Sequence, residues 1–384
     1  MFKLIHKLLI LLSFSVFIVG CSSNADKELP PAELPDINQT VSLDEQWDRS
    51  IGDGQGEILN FLTPAIDGKR IFATDDKGLV ISMDRFNGDV IWKKELDVPA
   101  SGGITASYGM ILLGTLKGEV IALDATTGEE KWHVKVGGEV LSPPANNGSV
   151  IVVQTTNDYL IALDAATGSQ LWAFTNSPAI LTLRGTSAPL ATDKLAIAAL
   201  SSGKVVALDV NRGIPVWEQA VAIPEGRSEL DRVVDIDGGL LLSDNKLYVV
   251  SYQGNLAELD LNSGEILWKA KASSAVGVAQ KAGSVYFSSD NGTLESVDSG
   301  STSTVWRNNS LARRQLSAPA LISNYLLVGD FEGYLHVANQ SDGKLVGREK
   351  IDSDGLRTRA LIEGDWIYAF GNGGELEALK IEKQ

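Results

Sequence analysis

The chain has 384 residues, a formal net charge of −16, 44% hydrophobic residues and a single cysteine. So strong an acidic excess, with no clustered basic run against it, excludes nucleic acid and anionic headgroups as partners. One cysteine excludes a disulfide framework.

Residues 1–20 read as a lipoprotein signal peptide. Lys3 and Lys7 give a positive start, Leu8 to Ile18 is apolar, and Ile18-Val19-Gly20-Cys21 resembles a bacterial lipobox. Cys21 is the expected lipidation site. The plainer alternative is an ordinary signal peptide ending beside an incidental cysteine. Ser22 follows, and in bacterial lipoproteins a residue other than Asp at that place accompanies sorting to the outer membrane. Two or more acyl chains anchor stably, whereas one anchors marginally. Residues 21–42, polar and carrying Pro30, Pro31 and Pro35, read as a lipidated flexible tether. Loss of residues 1–20 removes two lysines and no acid, taking the net charge from −16 to −18.

From residue 43 onward one pattern recurs. Its clearest copy is Gly118-Glu-Val-Ile-Ala-Leu-Asp124-Ala-Thr-Thr-Gly128-Glu-Glu-Lys-Trp132, with an Asp six residues after the first Gly, a second Gly four later and a Trp eight after the Asp. The copies open at Gly78, Gly118, Asp158, Gly203, Gly254, Gly292, Gly333 and Gly374, spaced 38 to 51 residues apart. Runs such as Val120-Ile-Ala-Leu123 are apolar throughout, the mark of a strand covered on both faces. A further apolar strand precedes each opening position, and X-Gly pairs supply tight hairpin turns. Each unit predicts four antiparallel strands, A to D, with D ending in Trp. Eight units at about 40 residues predict an all-β, eight-bladed β-propeller over residues 43–384. Asp44-Glu-Gln-Trp47 has the look of a strand D without its A to C, and the last copy has A to C without D. The N-terminal strand is therefore expected to complete the last blade and close the ring, covering the edge that the unfinished blade would otherwise expose.

Seven of the eight tryptophans, counting Trp47, fill the repeat slot. A buried Trp hides ~150–250 Å², worth roughly 4–6 kcal/mol as an upper estimate. They are expected to plug adjacent blades together rather than to stack on a ligand. The repeat Asp is expected to cap the C-to-D turn rather than to bind metal.

The loops carry the individuality of a repeat array. From the Trp slot to the next opening position takes 24 to 27 residues after Trp92, Trp132, Trp268 and Trp306, but 31 after Trp47, 31 after Trp172 and 37 after Trp217, the last two in successive units. In a four-strand meander the D–A and B–C connections leave on one face, so these two enlarged loops should be neighbours. The first holds Leu181, Leu183 and Arg184; the second holds Asp235 and Asp237. Apolar residues beside an arginine suit a partner-binding patch. Two other readings stay open: both leucines fold back on the ring while Arg184 pairs with Asp235 or Asp237, or Asp235-x-Asp237 takes a cation. His133 and His336 sit in no zinc-ligand spacing and beside no serine nucleophile, and no phosphate-cradling loop is present. The chain reads as no enzyme, with no cofactor and no metal site.

The Ala-Leu-Asp-x-x-x-Gly-x-x-x-Trp repeat resembles the tryptophan-docking repeat of pyrroloquinoline-quinone enzymes, which are eight-bladed. A periplasmic oxidoreductase of that type is the alternative function. Those enzymes are longer and usually carry an adjacent cysteine pair, which this chain lacks. The combination of lipobox, tether and eight compact repeats is similar over essentially the whole chain to the BamB family, the propeller lipoproteins of the outer-membrane β-barrel assembly machinery. The more specific matches are Leu181 to Pro189, Leu230 to Asp237 and Leu327 to His336. That resemblance implies a scaffold lipid-anchored to the periplasmic face of the outer membrane. It implies docking on the POTRA domains of BamA, and through BamA on the other subunits, by Leu181, Leu183 and Arg184, with Asp235 and Asp237 in support. Capture of unfolded outer-membrane protein precursors along strand edges is a further expectation.

Overall fold

A computed structural model describes residues 29–57, 61–183 and 185–383. The signal peptide, Cys21 and Arg184 lie outside these. Ala32 to the C-terminal end forms one compact unit, and the fold described below is that unit's.

Eight four-stranded antiparallel sheets form an eight-bladed propeller, with no helix among the described residues. Blade 1 consists of strands A to D at Ala65–Asp67, Arg70–Thr74, Leu79–Asp84 and Val90–Glu95. Blade 3 occupies Ala145–Asn146, Val150–Gln154, Tyr159–Asp164 and Gln170–Thr175, and blade 4 Leu190–Ala191, Leu195–Ala199, Lys204–Asp209 and Pro215–Ala220. Blade 5 occupies Leu241–Ser243, Lys246–Val250, Gly254–Asp260 and Ile266–Ala272, and blade 6 Ala279–Lys281, Ser284–Ser288, Leu294–Asp298 and Thr304–Asn308. Strands B and C are buried almost without interruption, as in Met110–Gly114 and Glu119–Asp124. Strand D alternates, as in Gln170–Thr175, because it is outermost in its blade. That contrast follows from the sandwich: inner strands have neighbours on both sides, outer strands on one.

Blade 8 is closed as the pattern predicted. Val41–Ser50 pairs antiparallel with Glu375–Lys383, which in turn pairs with Trp366–Phe370. The strand begins at Val41, and residues before it are also held. Thr40 N–H donates to the Val346 carbonyl at 2.9 Å and Ala32 N–H to that of Ala312 at 2.9 Å. Arg348 donates to the Pro35 carbonyl at 3.0 Å, and Arg314 to that of Ala32 at 2.9 Å. Arg314 is 2% exposed and also pairs with Asp330 at 2.8 Å and with Glu332. Asp330 accepts from His336 at 2.8 Å, which gives that buried histidine a structural role.

The tryptophans join blade to blade. The Trp47 indole N–H donates to the Arg85 carbonyl, Trp92 to Ala125, Trp132 to Ala165, Trp172 to Val210, Trp217 to Leu261 and Trp306 to Gln340, all at 2.8–3.2 Å. Each acceptor is the residue after the repeat Asp of the next blade, or after Asn339. The ring then lies flat against the turn glycine. A Cβ added at Gly88, Gly128, Gly168, Gly213, Gly264 or Gly343 would stand 2.4–2.9 Å from an indole atom, closer than packed carbon atoms come. Glycine is thus needed twice over, for positive φ and for room. Blade 6 supplies the control. Thr302, at φ 59, fills its glycine slot, and the Trp268 N–H turns instead to Glu258 Oε2 within its own blade at 2.9 Å. The repeat aspartates cap their turns: Asp124 Oδ1 accepts from the amides of Thr126 and Thr127, and the others behave alike.

Two local expectations need correction. Strand D does not end in Trp; it runs three residues past Trp92 in Val90–Glu95. At Gln253-Gly254 the left-handed residue is Gln253, at φ 47, and Gly254 already belongs to strand C.

Candidate partner-binding face

The B–C turns and the D–A connections share one face. After strand D of four blades the connecting chain is laid on the B–C turn of the same blade: Leu96 N–H donates to the Gly78 carbonyl, Val136 to Gly118, Val221 to Gly203 and Ile351 to Gly333. On this face the two enlarged loops are residues 176–189, between blades 3 and 4, and residues 221–240, between blades 4 and 5.

They are bonded to each other. Leu183 N–H donates to Asp235 Oδ2 at 2.5 Å, and Ser187 Oγ donates to the Gly238 carbonyl at 3.2 Å. Gly185 is pressed against Asp237, where a Cβ would lie 2.8 Å from the carboxyl carbon. The first loop is also pinned at its entry, where Ala179 N–H donates to Ser201 Oγ at 3.0 Å. Ser201 Oγ in turn donates to Asp158 at 2.6 Å. The second loop is anchored by Val233, Val234 and Ile236, all buried, with Ile236 in the core shared by blades 4 and 5.

The predicted residues divide by role. Leu181 is exposed at 39%, Leu183 half-buried, Asp235 1% exposed and Asp237 half-buried. Asp235 therefore faces inward as a brace for the backbone of the first loop. Leu181 neither folds back on the ring nor stands alone: the adjacent Ile180 is the most exposed large apolar side chain among the described residues, at 89%. Sequence reasoning passed over Ile180, although Pro178-Ala-Ile-Leu181 is the apolar run of an otherwise polar loop. It also passed over Ile223 and Leu230 of the second loop, which are 69% and 70% exposed.

Burial sets the electrostatics. Desolvation, and secondarily the nearby Asp158, push Asp235 from 3.8 to about 7, against the hydrogen bond from Leu183. Desolvation, then Asp235 and Asp158, push Asp237 to about 8. Burial also raises Asp158, against its bonds from Ser201. The cavity among Asp158, Thr182, Gly185, Ser187, Ser201 and Asp237 is about 10 Å³, room for one water. Among the described residues no three of His, Cys, Asp or Glu are gathered so as to hold a metal ion.

Fold and face together define a tryptophan-docking propeller of the quinoprotein type, specialised by two fused rim loops. A Europium-containing methanol dehydrogenase superposes with a TM-score of 0.73 at 13% identity, over 88% of this chain and 93% of that one; this shows the fold alone. The family model described as "Outer membrane protein assembly factor BamB" matches residues 42–115 and 76–308. A Pseudomonas aeruginosa protein of the same name is 63% identical over 97% of this chain and 98% of its own length. The crystal structure of BamB from Moraxella catarrhalis superposes with a TM-score of 0.81 at 26% identity, over 88% of this chain and 99% of that one. The chain belongs to the BamB family of outer membrane protein assembly factors, and not to the dehydrogenases whose fold it shares.

Proposed function

We propose that this protein is a non-enzymatic scaffold subunit of the outer-membrane protein assembly complex. It is lipid-anchored through Cys21 on the periplasmic side and docks on the POTRA domains of BamA through residues 176–189 and 221–240. Ile180 and Leu181 supply the exposed apolar contact, and Arg184 of the same loop supplies a charged one; Asp235 and Asp237 support the loop from below. BamA links the protein to the remaining subunits, and strand edges are available to unfolded outer-membrane protein precursors.

The observation that carries this reading is the bond between Leu183 and Asp235. It joins two enlarged loops of successive blades into one braced surface, and preorganised apolar residues bind at lower entropic cost than free loops. Co-purification of the Arg184→Glu variant tests it. The expected result is loss of the barrel-forming subunit from the eluate, since reversing a central charge costs several kcal/mol (roughly 2–5). Undiminished recovery overturns the site. Addition of pyrroloquinoline quinone and calcium to the purified chain is expected to give no redox activity, and turnover of a dye-linked alcohol oxidation overturns the scaffold reading.

A further inference from the structure

The second loop does more than brace the first. It is pinned at its start and at its middle: Asn255 Nδ2 donates to the Val221 carbonyl at 2.8 Å, and Gln253 Nε2 to that of Leu230 at 3.3 Å. Its tip is fixed by reciprocal bonds of 3.1 Å, from Ser228 N–H to the Asp231 carboxylate and from Asp231 N–H to Ser228 Oγ. Under this arch, between the outer edges of blades 4 and 5, lies a cleft of about 230 Å³. Its walls include Ile223, Glu225, Asp231, Gln253, Lys269 and Lys271.

The two lysines stand out chemically. They alternate with Trp268 and Ala270 along strand D of blade 5, so they share the strand face opposite Trp268. That tryptophan packs with Val285, Phe287 and Val297 of blade 6, which leaves Lys269 and Lys271 facing blade 4. Both are exposed, and neither makes an ion pair among the described residues. The Asp231 carboxylate is occupied by the Ser228 amide. On a chain of net charge −16, these two ammonium groups offset the charges of Glu225 and Asp231 in the cleft, and cations left without an ion pair on an otherwise acidic surface favour an oppositely charged segment and set its register.

The cleft is continuous with the docking surface. Ala179 is held by Ser201, while Val221 and Ala222 donate to Gly203. Ile180 and Ile223 therefore each stand one residue beyond an attachment to the same hairpin turn, Ser201 to Gly203. We infer that this cleft is a second contact site for the partner proposed above, taking an Asp- or Glu-bearing segment against Lys269 and Lys271 with an apolar side chain against Ile223. The inference rests on the docking reading and adds to it the partner's chemistry at this position.

The test uses the full mature chain and the isolated periplasmic domains of the barrel-forming subunit, with affinity measured at low and at physiological salt. The double variant K269E/K271E is expected to bind about tenfold more weakly and to lose part of the salt dependence. A photo-crosslinker at Ile223 is expected to reach the same domain that a crosslinker at Leu183 reaches. If Leu183 crosslinks while Ile223 does not and K269E/K271E binds normally, the cleft is no contact site and the docking reading stands. If neither position crosslinks, the docking reading fails and the inference fails with it. All these positions except half-buried Leu183 are exposed, and a circular dichroism spectrum like the parent's shows each variant folded.

Discussion

Asp235 offers a substitution pair that separates charge from hydrogen bonding. It is 1% exposed, and its Oδ2 accepts the Leu183 amide at 2.5 Å. Asp235→Asn keeps an oxygen acceptor and removes the titratable group, whereas Asp235→Ala removes both. A raised carboxyl is protonated more readily in the folded chain than in the unfolded one. Stability is therefore fullest below the unfolded value of 3.8 and declines as pH rises towards the folded value of about 7. That difference amounts to roughly 4 kcal/mol of destabilisation above pH 7. In urea unfolding at pH 8, Asp235→Asn is thus expected to be more stable than the parent by a few kcal/mol, with the gap closing near pH 4. It is also expected to bind the partner's periplasmic domains normally. Asp235→Ala leaves the partly buried Leu183 amide without its acceptor, which costs about 1 kcal/mol or more, and frees the loop that presents Ile180 and Leu181. Its affinity is expected to fall about tenfold or more, at ~1.4 kcal/mol per decade. Equal affinity for the Asn and Ala variants refutes the bracing role. A parent whose stability rises between pH 4 and 7 relative to Asp235→Asn refutes the electrostatics.

Glu377 lies opposite Asp48 in the seam that closes the ring. Burial first, and then Glu45, Glu375, Glu349 and Asp48, raise it to about 8, so Glu377→Gln is expected to flatten a loss of stability between pH 4.5 and 8, read by unfolding at several pH values. Gly213→Ala places a Cβ 2.6 Å from Trp172 at φ +66; overpacking and left-handed strain together are expected to cost about 3 kcal/mol in urea unfolding. Thr302→Gly does the reverse, relieving a β-branched residue at φ 59, and is expected to add about 1 kcal/mol. Arg348→Ala releases the Pro35 carbonyl, and limited proteolysis is expected to cut residues 33–38 faster than in the parent.

The architecture was legible because a propeller repeats its physics. Asp-x-x-x-Gly-x-x-x-Trp encodes a capped turn, a flat landing and the indole that lands on it, and each repetition tests the others. The missing strand of the last unit and the orphan strand at Trp47 located the closure. The placing of the two enlarged loops on one face followed from meander geometry. What did not follow was the direction in which side chains point within those loops. Asp235 and Leu181 differ in burial because Ile236 packs into the core of blades 4 and 5, with Val233 and Val234 buried before it, and this draws Asp235 inward, a consequence of contacts distant in sequence. The cleft at Lys269 and Lys271 was hidden for a similar reason. Two lysines in a strand D resemble an ordinary solvated edge until residues 223–231 are seen to arch over them. The hold on residues 32–40 depends on Arg314 and Arg348, some 300 residues away, and no local pattern announces it.

The most direct measurement places a photo-crosslinker at Leu181 and, in a second protein, at Tyr108, a 68% exposed residue in an A–B turn on the opposite face. Both are then crosslinked in intact cell envelopes. A product with the barrel-forming subunit is expected from Leu181 and none from Tyr108. A product from Tyr108 alone, or from neither position, contradicts the docking reading.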